Sequence, residues 1–331
     1  MGITGPYCVE QQKITGMVSN QTVKELLAEQ LISWPMARTG YEALREVQSK
    51  ELDVNGYTFR VQFNPARIRS SAANVDAKAI QERPCFLCKQ NLPAQQKALP
   101  FGEGYSILVN PFPIFEQHFT IPAVKHEDQL IHGRLTDMLE LAALLSDFVL
   151  FYNGPKCGAS APDHIHFQAG NKGFLPVEAD WRRAAGEPAV RHNGTSVYAL
   201  KGYPVPMLVL SGDNAAAITG LFDRIYSLMD TGTEAEPMMN LLAWVEDGQW
   251  ILCVMPRTLH RPACYFKEGD GNLLISPASV DLGGVFITPQ AKDYEKITSQ
   301  DIREILQEVC LSEAGIQEII HKLTKSLQVD A

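Results

Sequence analysis

The stretch Asp163–Ala169, DHIHFQA, decides how the chain is read. In a strand, side chains two apart share a face. His164, His166 and Gln168 then fall on one side, with Ile165 and Phe167 on the other. The stretch follows a run of small and turn-forming residues, NGPKCGASAP at 153–162. Small residues let main chain approach an anion closely. Two imidazoles and an amide beside such a loop make a candidate phosphate site.

Working outward, RPCFLCKQNLP at 83–93 holds a Cys-x-x-Cys pair, Cys85 and Cys88. Such a pair is half of a tetrahedral zinc site. A redox pair is the rival reading, but that motif sits between a strand and a helix. Here prolines flank the pair, which predicts a knuckle-like turn. No second Cys-x-x-Cys exists, so the remaining ligands are sought among His118, His126, His132, His164 and His166. His126 follows a strand-Pro turn and His164 abuts the reactive position. The expected set is Cys85, Cys88, His126 and His164, a closed structural Zn2+ site without an open position for water.

That leaves His166 as a free imidazole. A neutral imidazole attacks phosphorus and forms a covalent intermediate. Its second nitrogen needs an acceptor to fix the tautomer, and a carbonyl of the preceding loop would serve. The Gln168 amide and Ser160 are expected to donate to the non-bridging phosphate oxygens, where charge builds in the transition state.

The bulk numbers exclude some classes. The chain has 331 residues, 45% hydrophobic and 20% charged, with net charge -9. There is no basic run, so no nucleic-acid partner is expected. No apolar run approaches membrane-spanning length, and the start does not read as a signal peptide. Seven cysteines, an odd number, argue against a disulfide framework and for a reducing, cytoplasmic setting.

Element signals run along the chain. TVKELLAEQLI reads as a helix capped at Thr22, and GYTFRVQF as a half-buried strand. YSILV and FTIPAV read as strands, LTDMLELAALLSDFVLFY as one long buried helix, and DHIHFQA as a strand. Gly, Pro and Asn concentrate between Arg182 and Ser196, which places a boundary there. Beyond it come VPMLVL, a helix over NAAAITGLFDRIYSLM, strands NLLAWVED and QWILCVMP, and two amphipathic helices. The first of these has a capping box at Thr298 and Asp301. HFTIPAVKH and WILCVMPRTLH each place Pro and His four apart, with Asn110 or Asn240 upstream. That echo predicts a duplicated α+β unit, with halves 1–185 and 190–331.

HIHFQ together with CFLC resembles the galactose-1-phosphate uridylyltransferase branch of the histidine-triad (HIT-like) superfamily. GASAPDHIHFQA is similar to the GDP-hexose phosphorylases. MNLLAWVEDGQWILCVMPRTLH and LGGVFITP resemble the diadenosine tetraphosphate (Ap4A) phosphorylases. The resemblance implies an α+β, HIT-like protein of two related antiparallel-sheet-plus-helix halves, the second a degenerate repeat without the histidine motif. It implies a nucleotidyltransferase or phosphorylase acting on a nucleoside diphosphate hexose or dinucleoside polyphosphate. His166 is the implied nucleophile, and Ser160 and Gln168 hold the α-phosphate. Asn110 and Asn153 are implied at ribose or phosphate. Arg67 and Arg69 are implied at distal phosphates, against the plain expectation that arginines stay solvated. It also implies a homodimer. Arg182 stands where the uridylyltransferases carry an acidic ligand of a second metal, so one metal is expected. A nucleotide hydrolase on this fold and a zinc-stabilised, non-catalytic nucleotide-binding module are the alternative readings.

Overall fold

A computed structural model of the chain describes residues 18–68 and 77–329. Its centre is a ten-stranded sheet in the order β3-β4-β5-β7-β6-β11-β12-β10-β9-β8. The first five of these are β3 (Ala98–Phe101), β4 (Tyr105–Val109), β5 (His118–Pro122), β7 (His166–Asn171) and β6 (Phe148–Asn153). The second five are β11 (Met239–Glu246), β12 (Gln249–Pro256), β10 (Leu208–Gly212), β9 (Thr195–Ala199) and β8 (Val190–His192). From either edge inward the pattern is the same. A three-strand meander comes first, then a hairpin whose later strand returns beside the meander. In each case a helix precedes that hairpin, Leu135–Leu144 in one and Ala215–Leu228 in the other. The two patterns meet where β6 and β11 pair antiparallel, with Asn153 opposite Asn240.

Most of the sheet is covered on both faces, which is why β6, β11 and β12 are largely apolar. Ile107, Phe119, Leu150, Phe167, Leu241 and Leu252 face a helical layer. That layer includes Asn20–Ser33, Leu135–Leu144, Ala215–Leu228 and Glu313–Val329. Val149, Phe151, Leu242, Ile251, Cys253 and Met255 pack on the other face. There they meet the helices Val177–Ala185 and Ser299–Val309 and a small sheet of β1 (Gln48–Val54), β2 (Tyr57–Phe63) and β13 (Val285–Thr288). In that sheet β13 runs parallel to β2, with Val285 opposite Arg60. A segment from late in the chain thus joins a hairpin from near its beginning.

Several local expectations change. The first helix starts at Asn20, because Ser19 rather than Thr22 is the N-cap and accepts from the Thr22 amide. The long apolar run at 135–152 is not one helix. It is a helix to Leu144 followed by β6, FVLFYN, every residue of which is buried. A strand buried on both faces shows no alternation, so periodicity cannot separate it from a buried helix. β7 starts at His166, so His164 lies just before the strand rather than on its face. The region of the proposed boundary holds the end of the helix Val177–Ala185 and a hairpin, β8–β9, turned at Asn193 and Gly194 with φ of 48° and 77°. The Pro-His echo joins β5 to the end of β12, whereas the strand order makes β10 the counterpart of β5. The repeat in topology does not run through that pair of segments. Among the described residues no helix is long and apolar enough to cross a membrane.

Candidate active site and metal cluster

A cleft of about 420 Å³ opens at the start of β7, where the sheet face is left uncovered. His166, Gln168, Ser160, Asn110, Asn153 and Arg67 all line it. Arg69 lies outside the described residues.

His166 is the first residue of β7 and is 4% exposed. Its Nδ1 lies 2.8 Å from the His164 carbonyl oxygen. A carbonyl only accepts, so the proton sits on Nδ1 and the Nε2 lone pair is left to the cleft. Burial pushes this imidazole down to about 4, which keeps it neutral near pH 7.

Gln168 is oriented in the same way. The Ile114 amide donates to Nδ1 of His118 at 3.1 Å, so the His118 proton is on Nε2. That Nε2 donates to Oε1 of Gln168 at 3.0 Å. The Gln168 amide nitrogen is thereby the end turned to the cleft. His118 is fully buried, and burial, with the Arg67 charge second, pushes it down to about 3. In the sequence His118 stands only among several histidines, with no task of its own.

The remaining lining groups divide into presenters and holders. Oδ1 of Asn153 accepts from Asn240 Nδ2 at 2.8 Å, Ser279 N at 2.9 Å and Ser279 Oγ at 2.8 Å. Its amide nitrogen is the group left to present. Asn110 is a holder: its Oδ1 accepts from the Phe112 amide at 2.9 Å and its Nδ2 donates to Thr120 Oγ1 at 3.1 Å. It fixes the Asn-Pro-Phe-Pro turn. Arg67 is not simply solvated. It donates from Nη1 to the Phe112 carbonyl at 2.8 Å, and burial pulls its guanidinium down to about 10. Ser160 lies in the loop beneath, its carbonyl accepting from Arg83 Nη2 at 2.9 Å. That loop approaches the C-terminal segment closely. A Cβ on Gly158, where φ is +95°, would fall 2.6 Å from the Ala278 Cβ.

Several cleft residues were assigned no role at the site from the sequence. Arg83, His260, Arg261 and Asp281 also line it. Behind them Arg257 is fully engaged. It donates to Asn240 Oδ1 at 2.7 Å and to the carbonyls of Pro277 at 3.0 Å, Val309 at 2.9 Å, Leu259 at 2.9 Å and His260 at 3.1 Å. Arg257 thus holds Asn240, which holds Asn153. No local motif announces the longer of these contacts, because Asn240, Pro277 and Val309 lie 17, 20 and 52 positions away along the chain.

Cys85, Cys88, His126 and His164 come together beside the cleft, one ligand atom from each within 4.8 Å of the others. His164 Nδ1 lies 3.3 Å from Cys85 Sγ and 3.6 Å from Cys88 Sγ, and His126 Nδ1 lies 3.2 Å from Cys88 Sγ. Zinc–sulfur and zinc–nitrogen bonds at the tetrahedral angle imply S···N edges of about 3.5 Å. The outer contacts agree with ligation. His164 Nε2 donates to the Ala123 carbonyl at 2.8 Å, which leaves Nδ1 unprotonated toward the thiols. Asp163 lies 3.7 Å from His126 Nε2. The donor set therefore fits a metal ion.

The family model described as a domain of unknown function (DUF4922) matches residues 26–171, and the model described as GDPGP1-like, C-terminal domain, matches residues 181–329. No curated protein matches the chain by sequence. Among solved structures, yeast Ap4A phosphorylase Apa2 in complex with AMP aligns with a TM-score of 0.59 at 18% identity, over 88% of this chain and 97% of that one. The same yeast enzyme in complex with Ap4A aligns with a TM-score of 0.58 at 17% identity, over 89% of this chain and 99% of that one. The chain therefore has the α+β, HIT-like fold that it shares with Ap4A phosphorylase, and its residues 181–329 match a GDPGP1-like C-terminal domain.

Proposed function

We propose that the chain is a nucleotidyltransferase or phosphorylase that works through a covalent nucleotidyl-His166. The observation that carries this is the His166 ring, held with its proton on Nδ1 toward the His164 carbonyl and its lone pair toward the cleft. The fold supports it, since the yeast enzyme of that fold has been solved with AMP and with Ap4A. Nε2 attacks the α-phosphorus of a nucleoside diphosphate hexose or a dinucleoside polyphosphate. The P–N bond forms, the bond to the bridging oxygen breaks, and the hexose phosphate or nucleotide leaves as an anion. An oxygen of phosphate or of a sugar 1-phosphate then attacks phosphorus, and the P–N bond breaks. The amide nitrogens of Gln168 and Asn153 and the hydroxyl of Ser160 donate to the phosphoryl oxygens as their charge builds. Arg67, Arg83 and Arg261 balance the charge of the more distal phosphates. Asn110 acts by holding the turn that bears Phe112.

We infer a zinc ion for Cys85, Cys88, His126 and His164. With all four positions filled by protein it would cross-link the cysteine turn to His164, two residues before β7, and leave no place for water. We also take residues 1–185 and 190–331 as the two halves, with the nucleophile in the first and the Arg257 support in the second.

The test is a donor panel of UDP-hexoses, GDP-hexoses and Ap4A, each incubated with the protein without acceptor and read by intact mass. A gain of one nucleoside monophosphate supports the proposal and names the base. Turnover of a donor to free nucleotide with no phosphate or sugar phosphate added would favour the hydrolase reading. No mass change and no turnover with any donor would contradict both.

A further inference from the structure

The pairing between β6 and β7 ends two residues short of His166. Phe148 to Phe151 pair with Asn171 to Gln168, and the ladder stops there. Continued, it would bring Asn153 opposite His166. At that place a side chain takes the part of a strand. Gln129, fully buried, comes from the connection between β5 and the helix Leu135–Leu144. Its Oε1 accepts from the His166 amide at 2.8 Å. Its Nε2 donates to the His166 carbonyl at 3.1 Å and to the Asn153 carbonyl at 2.9 Å. One amide thus satisfies both backbone groups of His166 and ties that residue to the end of β6.

The rest of the connection is stitched alongside. The Ala123 amide donates to the Ile165 carbonyl at 2.9 Å, the Ile165 amide to the Glu127 carbonyl at 2.7 Å, and the Gln129 amide to the Pro162 carbonyl at 3.1 Å. Tyr152 of β6 braces it from behind, its hydroxyl 3.0 Å from the Gln129 carbonyl.

We propose that Gln129 is a positioning residue for His166. Resting on the reading of His166 as nucleophile, it fixes the distance and angle at which Nε2 meets phosphorus, by holding the backbone on which the ring is mounted. The ring has one anchor of its own, the bond from Nδ1 to the His164 carbonyl. If the backbone between residues 164 and 166 moves, that bond and the Nε2 direction move together. A displacement of about 1 Å in a reacting group costs roughly 10²-fold in rate. The open ladder also explains why a side chain is used. Beyond Phe151 and Gln168 the two backbones are unpaired, and the Gln129 amide takes the place of that pairing.

The experiment compares the wild type with Gln129→Met, which keeps length and volume and makes none of the three bonds. It uses Leu139→Ala as a control that opens a cavity in the helical layer. Two readouts are taken. The first is the rate of nucleotidylation with the donor found to modify the wild type. We expect a fall of about 100-fold in the maximal rate with the half-saturating donor concentration within about threefold, while Leu139→Ala keeps the wild-type rate. The second needs no activity. It is hydrogen exchange at the His166 amide and at Nδ1–H by NMR on the full chain, expected to be slow in the wild type and in Leu139→Ala but fast in Gln129→Met. An unaltered rate in Gln129→Met, or rapid exchange at both His166 sites in the wild type, would overturn the proposal. A protected His166 in a wild type that takes no nucleotide from any donor would leave the clamp standing and sink the nucleotidyl reading instead. Should Gln129→Met fail to fold, the wild-type exchange decides.

Discussion

The ten-stranded sheet contains the same strand pattern twice, yet only one copy turns histidine and glutamine to the cleft. β7 and β12 occupy equivalent places, each the returning strand of its hairpin. On the helical side both are apolar, with Phe167 and Ala169 on β7 and Leu252 and Val254 on β12. They differ on the opposite face. There β12 presents Ile251, Cys253 and Met255 to a closed core, whereas β7 presents His166 and Gln168 to a cleft. The topology supplies a pleated surface and nothing more. Function follows from what one face of one strand displays, and from whether other elements cover it. The second copy is still used. Arg257, just past β12, anchors Asn240, and Asn240 turns Asn153 toward the cleft of the first copy.

The sharpest way to break this comparison is to erase the chemistry on β7 alone. His166→Asn should lower nucleotidyl transfer by at least about three orders of magnitude, roughly 4 kcal/mol of barrier, with folding intact by circular dichroism. Retention of more than a tenth of the rate would show that another group attacks. On β12 the same face should matter only for stability. Met255→Ala should cost about 2–5 kcal/mol in urea unfolding, as expected for an emptied core position. A cost under about 0.5 kcal/mol would mean the two faces are not so different.

The next effect concerns Gln168 and its support. Gln168→Leu removes one donor to the phosphoryl oxygens and should slow the chemical step by about 10²-fold, measured by rapid quench. His118→Gln tests the group behind it through pH. The folded His118 titrates near 3, below its ordinary 6.5, because burial disfavours the cation. The unfolded chain therefore binds the proton first. Stability from this residue is full above about pH 6.5 and is lost as pH falls toward 3. Relative to the wild type, His118→Gln should remove roughly 1.4 kcal/mol per pH unit of slope within that window. Identical slopes would show that His118 is protonated or exposed.

The smallest expected effect lies behind Gln129. The single hydroxyl proton of Tyr152 meets two acceptors, the Gln129 carbonyl at 3.0 Å and the Glu236 carboxyl. Both contacts are hydrogen bonds only if Glu236 carries a proton and donates to Tyr152. Burial agrees, pushing Glu236 up to about 7. Its contribution is then full below about pH 4.5 and is lost as pH rises through 7. Glu236→Gln should be nearly neutral at pH 5 and more stable than the wild type by about 1–2 kcal/mol at pH 8. Destabilisation at pH 8 would mean the carboxylate is the working form.

Much of this was legible in the sequence because it is local. Alternation in YTFRVQF marked β2, the Thr298–Asp301 box marked the helix Ser299–Val309, and the spacing of Cys85 and Cys88 pointed to the ligand cluster. The rest is non-local. β6 is buried on both faces and shows no alternation. Gln129 bonds residues 24 and 37 positions away, and the Arg257 side chain reaches Val309, 52 positions away. Neither contact follows from a local pattern, so only the folded chain shows what each residue holds.

The most direct measurement is the half-reaction itself. The protein is mixed with the donor selected from the panel, without acceptor, and then proteolysed and mapped by mass spectrometry. One nucleoside monophosphate is expected on the peptide bearing His166, released stoichiometrically when phosphate or sugar 1-phosphate is added. A nucleotide mapped to any other residue, or turnover of donor without a protein-bound nucleotide at any time, would contradict that expectation.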